Sequence, residues 1–170
     1  MKQAWFGVRE IQPIGPVWAA VSARGLVAVA LGSDQSTIMQ IIQRLGFDQI
    51  SLDSERTAHA LEQIAEYLVG KRKSFDLVID WSVLTPFQAQ ALRATFEIPY
   101  GEVRTYGELA QGLGKPDAAR AVGRAEATNP MPLVLPCHRV IGADGKLHGY
   151  GTGKGLETKA WLLKLEHENH

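Results

Sequence analysis

The chain has 170 residues, 45% of them hydrophobic and 21% charged, with eighteen basic against eighteen acidic side chains and one cysteine. This is the composition of an ordinary soluble globular protein; one cysteine excludes an intramolecular disulfide and a thiolate metal cluster, and no apolar run is long enough to span a bilayer. Splitting at Leu84 leaves 8 basic and 9 acidic residues before it, then 10 and 9 from it onward, so any nucleic-acid contact must come from a local surface rather than from net charge. The opening Met1-Lys2-Gln3-Ala4-Trp5 has no signal-peptide layout, and a lone cysteine fits a reducing cytoplasm.

In chain order, strands over 17–21 and 26–30 flank Ser22-Ala23-Arg24-Gly25, a hairpin signal. Ile38, Ile41, Ile42 and Leu45 recur at helical spacing up to Gly46, as do Leu61, Ile64, Ala65 and Leu68 up to Gly70. Lys71-Arg72-Lys73-Ser74 reads as a solvated turn and 75–81 as a returning strand. Residues 1–84 thus predict a small sheet-and-helix domain with no constellation that suggests chemistry.

The second half, 85–170, predicts a mainly helical domain, making the whole chain α+β. Thr85-Pro86-Phe87-Gln88 combines a threonine N-cap, proline at the first helical position and glutamine at the capping-box position. That helix runs to about Phe96. Thr105-Tyr106-Gly107-Glu108 is a second capping box, opening a short helix that ends at Gly112 or Gly114. Pro116 starts a third, from Asp117 to about Ala127, with Asp117 in the first turn favoured by the dipole. The two short helices, joined by Gly-Leu-Gly-Lys, make a helix-turn-helix candidate. Residues 141–147 carry an Asp-Gly hairpin signal. A glycine-rich stretch over 149–155 can serve as a lid. A final helix from about Leu156 turns Trp161, Leu162 and Leu165 inward, with Glu166 near its end.

Between these helices lies Pro136-Cys137-His138-Arg139-Val140, preceded by the apolar run Leu133-Val134-Leu135. A lone cysteine is most often a small buried hydrophobe. Here a proline before it and two cationizable residues after it do not suit a strand interior. The segment reads as a strand delivering Cys137 to its exposed end, where nearby positive charge or a base favours the thiolate.

Together these segments resemble the O6-alkylguanine-DNA alkyltransferase family, the methylated-DNA–protein-cysteine methyltransferases. The resemblance rests on Thr85-Pro86-Phe87-Gln88, Ile98-Pro99-Tyr100-Gly101-Glu102-Val103, Tyr106-Gly107-Glu108-Leu109-Ala110, Ala119-Arg120-Ala121-Val122-Gly123, Asn129-Pro130 and Pro136-Cys137-His138-Arg139-Val140. It implies repair of O6-alkylguanine in double-stranded DNA, bound through the minor groove with the lesion flipped out of the stack. O4-alkylthymine is a second candidate substrate. By this resemblance Cys137 is the alkyl acceptor, His138 its base acting through a water, and Glu166 the carboxylate that orients the imidazole. Tyr106 donates to a guanine ring nitrogen and Asn129 braces the active-site turn. Arg120 fills the gap left by the flipped base, with Ala119, Ala121, Gly123 and Tyr106 also at the DNA. Pro132, Val140, Tyr150 and Gly151 line the substrate pocket. Arg139 is expected to hold backbone or carboxylate partners.

The thioether product offers water no carbonyl to attack, so each molecule is expected to act once. No cofactor and no metal is implied, because the extra cysteines of zinc-bearing members are absent. The protein is expected to be a cytoplasmic monomer without membrane contact. The chain departs from the family pattern in 150–156, about two residues longer, in Gly151 where some members have serine, and in Glu126, an acidic residue expected near the DNA phosphates. Two competing readings are a damage sensor that binds alkylated bases without repair, and a thiol hydrolase. The sensors replace the acceptor cysteine, and adjacent residues on an extended segment face opposite ways, which opposes direct Cys137–His138 contact.

Overall fold

A computed structural model describes residues 1–170, which form two compact units, Met1–Val83 and Leu84–His170. The first is built on a four-stranded sheet in the order β3-β2-β1-β4, from β1 (Gln3–Ile11), β2 (Gly15–Ser22), β3 (Gly25–Leu31) and β4 (Gln49–Leu52). The hairpin at Ser22 forms as its turn signal predicts, with Ala20 facing Ala28 across the antiparallel pair. Two amphipathic helices, α1 (Gln35–Arg44) and α2 (Ser54–Leu68), start at the caps Asp34 and Asp53. Ile38 and Ile42 of α1 join Phe6, Trp18, Val27 and Phe47 in one core cluster. β1, which pairs with both β2 and β4, was not anticipated.

The predicted strand at 75–81 does not form. Only Ile79 bridges Leu26, through Leu26 N to Val78 O at 2.9 Å and Asp80 N to Leu26 O at 3.0 Å. Asp80 explains the early stop. It accepts hydrogen bonds from Ser22 and Ser82, and a side chain bonded to nearby groups competes with a continuing ladder.

In the second unit α3 (Pro86–Phe96) begins at Thr85, whose hydroxyl accepts from Gln88 N. The reciprocal half of that capping box is not made, because the Gln88 amide turns to Thr128 instead. A two-stranded parallel pair, β5 (Arg104–Thr105) and β6 (Val140–Ile141), brings two distant segments together. Thr105 caps α4 (Tyr106–Gly112) through Glu108 N. α5 (Ala119–Ala127) begins two residues later than predicted. Ala118 N bonds Lys115 O, so a tight turn spans Pro116 and Asp117 and leaves Asp117 outside the first helical turn. Val122 of α5, Leu109 and Ala110 of α4, Ile98 and Val140 share a core.

The Asp-Gly signal after β6 makes a turn but no paired strands, with Gly142 N bonded to Lys146 O at 3.0 Å. The final helix, α6 (Leu156–Glu168), buries Leu162 fully. At its start Thr158 accepts from Lys154 N at 2.8 Å. This organisation is α+β, a sheet with two helices followed by a mainly helical unit.

Candidate active site

The approach to Cys137 is a sequence of turns, not the expected strand. Leu135 N returns to Met131 O at 2.9 Å, which closes a loop around 131–135. Leu133 sits there at φ 79, a left-handed conformation that costs a branched apolar residue energy and is held by its full burial. Pro136, with φ −79 and ψ 66, has the geometry of an inverse γ-turn, and Cys137 N accordingly donates to Leu135 O at 2.7 Å. Cys137–Arg139 then forms one 3-10 turn. The proline does not end a strand; its fixed φ supplies the turn. Cys137 is therefore buried, 6% exposed, instead of being presented at a strand end.

A buried sulfur is a poor anion. Burial pushes the Cys137 thiol up to about 12, and Glu126, whenever it is ionised, pushes the same way, against an opposing hydrogen bond from Asn129 and the charge of Lys159. Asn129 has a second task. Its Nδ2 donates to Leu135 O at 2.8 Å and its Oδ1 accepts from Met131 N at 2.9 Å, fastening both ends of the turn.

His138 and Glu166 meet as the resemblance implied. His138 Nε2 lies 2.6 Å from Glu166 Oε2, both side chains almost fully buried. Arg139 binds the same carboxylate, with Nε 2.9 Å from Oε1 and Nη2 2.9 Å from Oε2, while Nη1 donates to Ile98 O at 2.7 Å. Gly101 N adds a further donor to Oε1 at 3.0 Å. Burial opposes ionisation of Glu166, yet the bonds and charges of His138 and Arg139 overcome it and hold the carboxyl well below its ordinary value. Burial lowers the His138 imidazole, against the hydrogen bond and charge of Glu166, which raise it. In its neutral form the ring keeps its proton on Nε2, facing the carboxylate, which leaves Nδ1 as the basic nitrogen.

Lys159 was missed by sequence reasoning. It is 1% exposed, and its Nζ donates to Val140 O and His148 O at 2.8 Å each. Burial lowers this ammonium, while the nearby Cys137 and Glu126 pull it back up. The signal was present: Lys159 shares a helical stripe with Leu162 and Glu166, at spacings that mark a buried face.

Glu126 needs a correction as well. It does not face DNA phosphates. Val122, Ala125 and Glu126 form the inner stripe of α5, and the Glu126 carboxyl hydrogen-bonds Thr95 of α3.

Arg120 is exposed near the start of α5 and lines an open pocket of about 460 Å³ with Tyr106, Gly107, Ala119, Gly123, Ala127 and the loop residues Gly142, Ala143, His148 and Gly149. Ala121 is not part of this lining. The Tyr106 hydroxyl donates to His148 O at 3.3 Å, a long bond that a better acceptor can replace. Pro132 and Val140 are buried behind the cysteine turn. The Tyr150 hydroxyl is buried, which pushes its pKa well above the ordinary value. At Gly151 an added Cβ would stand 3.3 Å from Ala127 O, so a serine here would need the neighbouring backbone to yield.

A family model described as the DNA-binding domain of 6-O-methylguanine DNA methyltransferase matches residues 86–168. A methylated-DNA–protein-cysteine methyltransferase of Methanosarcina barkeri is 43% identical over 157 residues, spanning 92% of this chain and 94% of that protein. One from Mycolicibacterium paratuberculosis is 51% identical over 109 residues, 64% of each chain. Among solved structures, Mycobacterium tuberculosis OGT in complex with DNA superposes with a TM-score of 0.81 at 36% identity, covering 97% of this chain and 94% of that one. The O6-methylguanine-DNA methyltransferase of Pyrococcus kodakaraensis gives 0.65 at 25% identity, over 96% and 98% of the two chains.

Proposed function

The chain belongs to the methylated-DNA–protein-cysteine methyltransferase family, and from that premise we propose that it repairs O6-alkylguanine in double-stranded DNA by moving the alkyl group to Cys137. One observation carries this reading. The only cysteine of the chain is followed directly by a buried imidazole whose partner carboxylate is fixed by an arginine and a backbone amide. This fits the nucleophile, base and orienter logic of covalent catalysis.

The geometry suggests a sequence of steps. α4 and α5 act as a helix-turn-helix on the minor groove, with Ala119, Ala121 and Gly123 permitting close approach. Arg120 enters the stack as the alkylated base turns out toward Tyr106. The Cys137 proton passes to His138 Nδ1 through a water, and Glu166 stabilises the imidazolium that results. Sulfur then attacks the alkyl carbon in line, the carbon–O6 bond breaks, and its electron pair leaves with guanine. Tyr106 exchanges its long bond to His148 O for one to a ring nitrogen, which helps the base depart. Burial pushes the Cys137 thiol up to about 12, so proton removal by His138 and assistance to the leaving group both serve the displacement.

Pro132, Val140, Tyr150 and Gly151 enclose the alkyl group, and O4-alkylthymine fits the same chemistry as a secondary substrate. The protein works as a cytoplasmic monomer, without a cofactor. The test is intact-protein mass after incubation with excess duplex oligonucleotide containing O6-methylguanine. The expected result is a gain of one methyl group per chain and no more, abolished in Cys137→Ser. Lesion binding without mass gain would instead make the protein a damage sensor, and repair beyond one equivalent would overturn single turnover.

A further inference from the structure

Glu126 is a buried carboxyl that the transfer steps leave unused. It is 6% exposed, its Oε1 is hydrogen-bonded to Thr95 Oγ1, and its Oε2 is buried with no hydrogen-bond partner. A short chain of contacts ties it to the acceptor. Asn129 N donates to the Glu126 carbonyl at 3.3 Å, and the Asn129 side chain holds Leu135 O, which also receives Cys137 N. The titratable groups facing the carboxyl are Cys137 in the 3-10 turn, Lys159 on α6 and Tyr106 on α4. Arg120 and Arg124, on its own helix, are exposed, and α3 contributes the neutral Thr95.

Counting hydrogens gives the protonation state. Thr95 Oγ1 also lies 3.0 Å from Ala91 O. A threonine hydroxyl carries one hydrogen and a carbonyl carries none. If Glu126 were ionised, one of the two oxygen–oxygen contacts at Thr95 would contain no hydrogen. A neutral acid satisfies both, with the Glu126 O–H donating to Thr95 and Thr95 donating to Ala91 O. Burial acts in the same direction, pushing this carboxyl up to about 7 against the Thr95 bond and the charge of Lys159.

We propose that Glu126 is held as a neutral acid beside Cys137 and that its neutrality is a condition of alkyl transfer, making it a positioning residue for charge at the acceptor sulfur. This rests on the transfer reading above. When the Cys137 proton leaves through His138, negative charge develops on sulfur before the sulfur–carbon bond forms and the carbon–O6 bond breaks. That electron pair departs on guanine, while the proton that left Cys137 stays on His138. An ionised Glu126 would oppose the charge on sulfur in a water-poor interior, where such repulsion is strong.

Single-turnover transfer from O6-methylguanine duplex should be measured across pH for the native protein and Glu126→Gln. Glutamine keeps the shape and donates to Thr95 from its amide, but never ionises. Below pH ~6 the two should react at similar rates, and above pH ~8 the glutamine variant should be faster, by about tenfold. A rate ratio that stays constant with pH, or a native protein that remains faster at alkaline pH, overturns the proposal. Absence of transfer by the native protein at every pH would instead defeat the transfer reading itself. A second measurement needs no variant. In protein labelled with 13C-carboxyl glutamate, one resonance should titrate near neutrality, and its absence overturns the proposal.

Discussion

The two oxygens of Glu166 receive donors from His138, Arg139 and the backbone of Gly101. Removing one partner of such a buried group leaves the others with an uncompensated charge. Glu166→Gln should therefore cost about 3–5 kcal/mol in denaturant unfolding, and it should abolish transfer. The pH dependence has a definite sign. A carboxyl held below its unfolded value of 4.5 contributes stability above that pH and loses it as pH falls toward the depressed folded value. Below pH ~4.5 the native protein should lose stability more steeply than the glutamine variant, as read from urea midpoints at successive pH values. Among single residues the resemblance points to Cys137, His138 and Glu166, of which the structure pairs the last two. The sequence did not show that the sulfur is buried. Pro136 sets a γ-turn at a spot where local pattern reads as a strand end, and only the tertiary packing of 131–135 decides between the two.

At the scale of elements, caps and apolar spacing made the helices readable. Asp34, Asp53, Thr85 and Thr105 each accept from the backbone three residues on, and loss of such a cap costs about 1 kcal/mol. The two threonines should differ in what else is lost. Thr85→Ala should lower the melting temperature with little change in transfer rate. Thr105→Ala should lower both, since it caps a seven-residue helix whose first residue is Tyr106. Equal transfer rates in the two variants would detach Tyr106 from its proposed role. α5 permits a separate test. Arg120→Ala should impair repair in duplex DNA far more than reaction with free alkylguanine base, because its exposed side chain acts on the stack and not on sulfur; equal loss on both substrates would refute that. Strands were harder to read than helices. Pairing depends on partners distant in the chain: β1 draws on β2 and β4 for its place, and 75–81 fails to extend because Asp80 bonds to serines instead.

At the scale of the whole molecule, the proposed transfer adds a methyl group to the sulfur of a residue that is 6% exposed among packed neighbours. Inserting a methylene-sized group into a filled interior costs about 1–3 kcal/mol. The methylated protein should therefore melt below the unreacted one, and calorimetry before and after one equivalent of lesion would show it; unchanged melting would mean the sulfur has free space beside it. The His138–Glu166 pair also joins residues 28 positions apart, with the carboxylate on α6. That separation imposes an order on synthesis. A growing polypeptide that already contains Cys137 and His138 has no carboxylate to steady the imidazolium, and Arg139 has no counter-ion. On the proposed mechanism the sulfur stays chemically quiet until α6 has been made and docked.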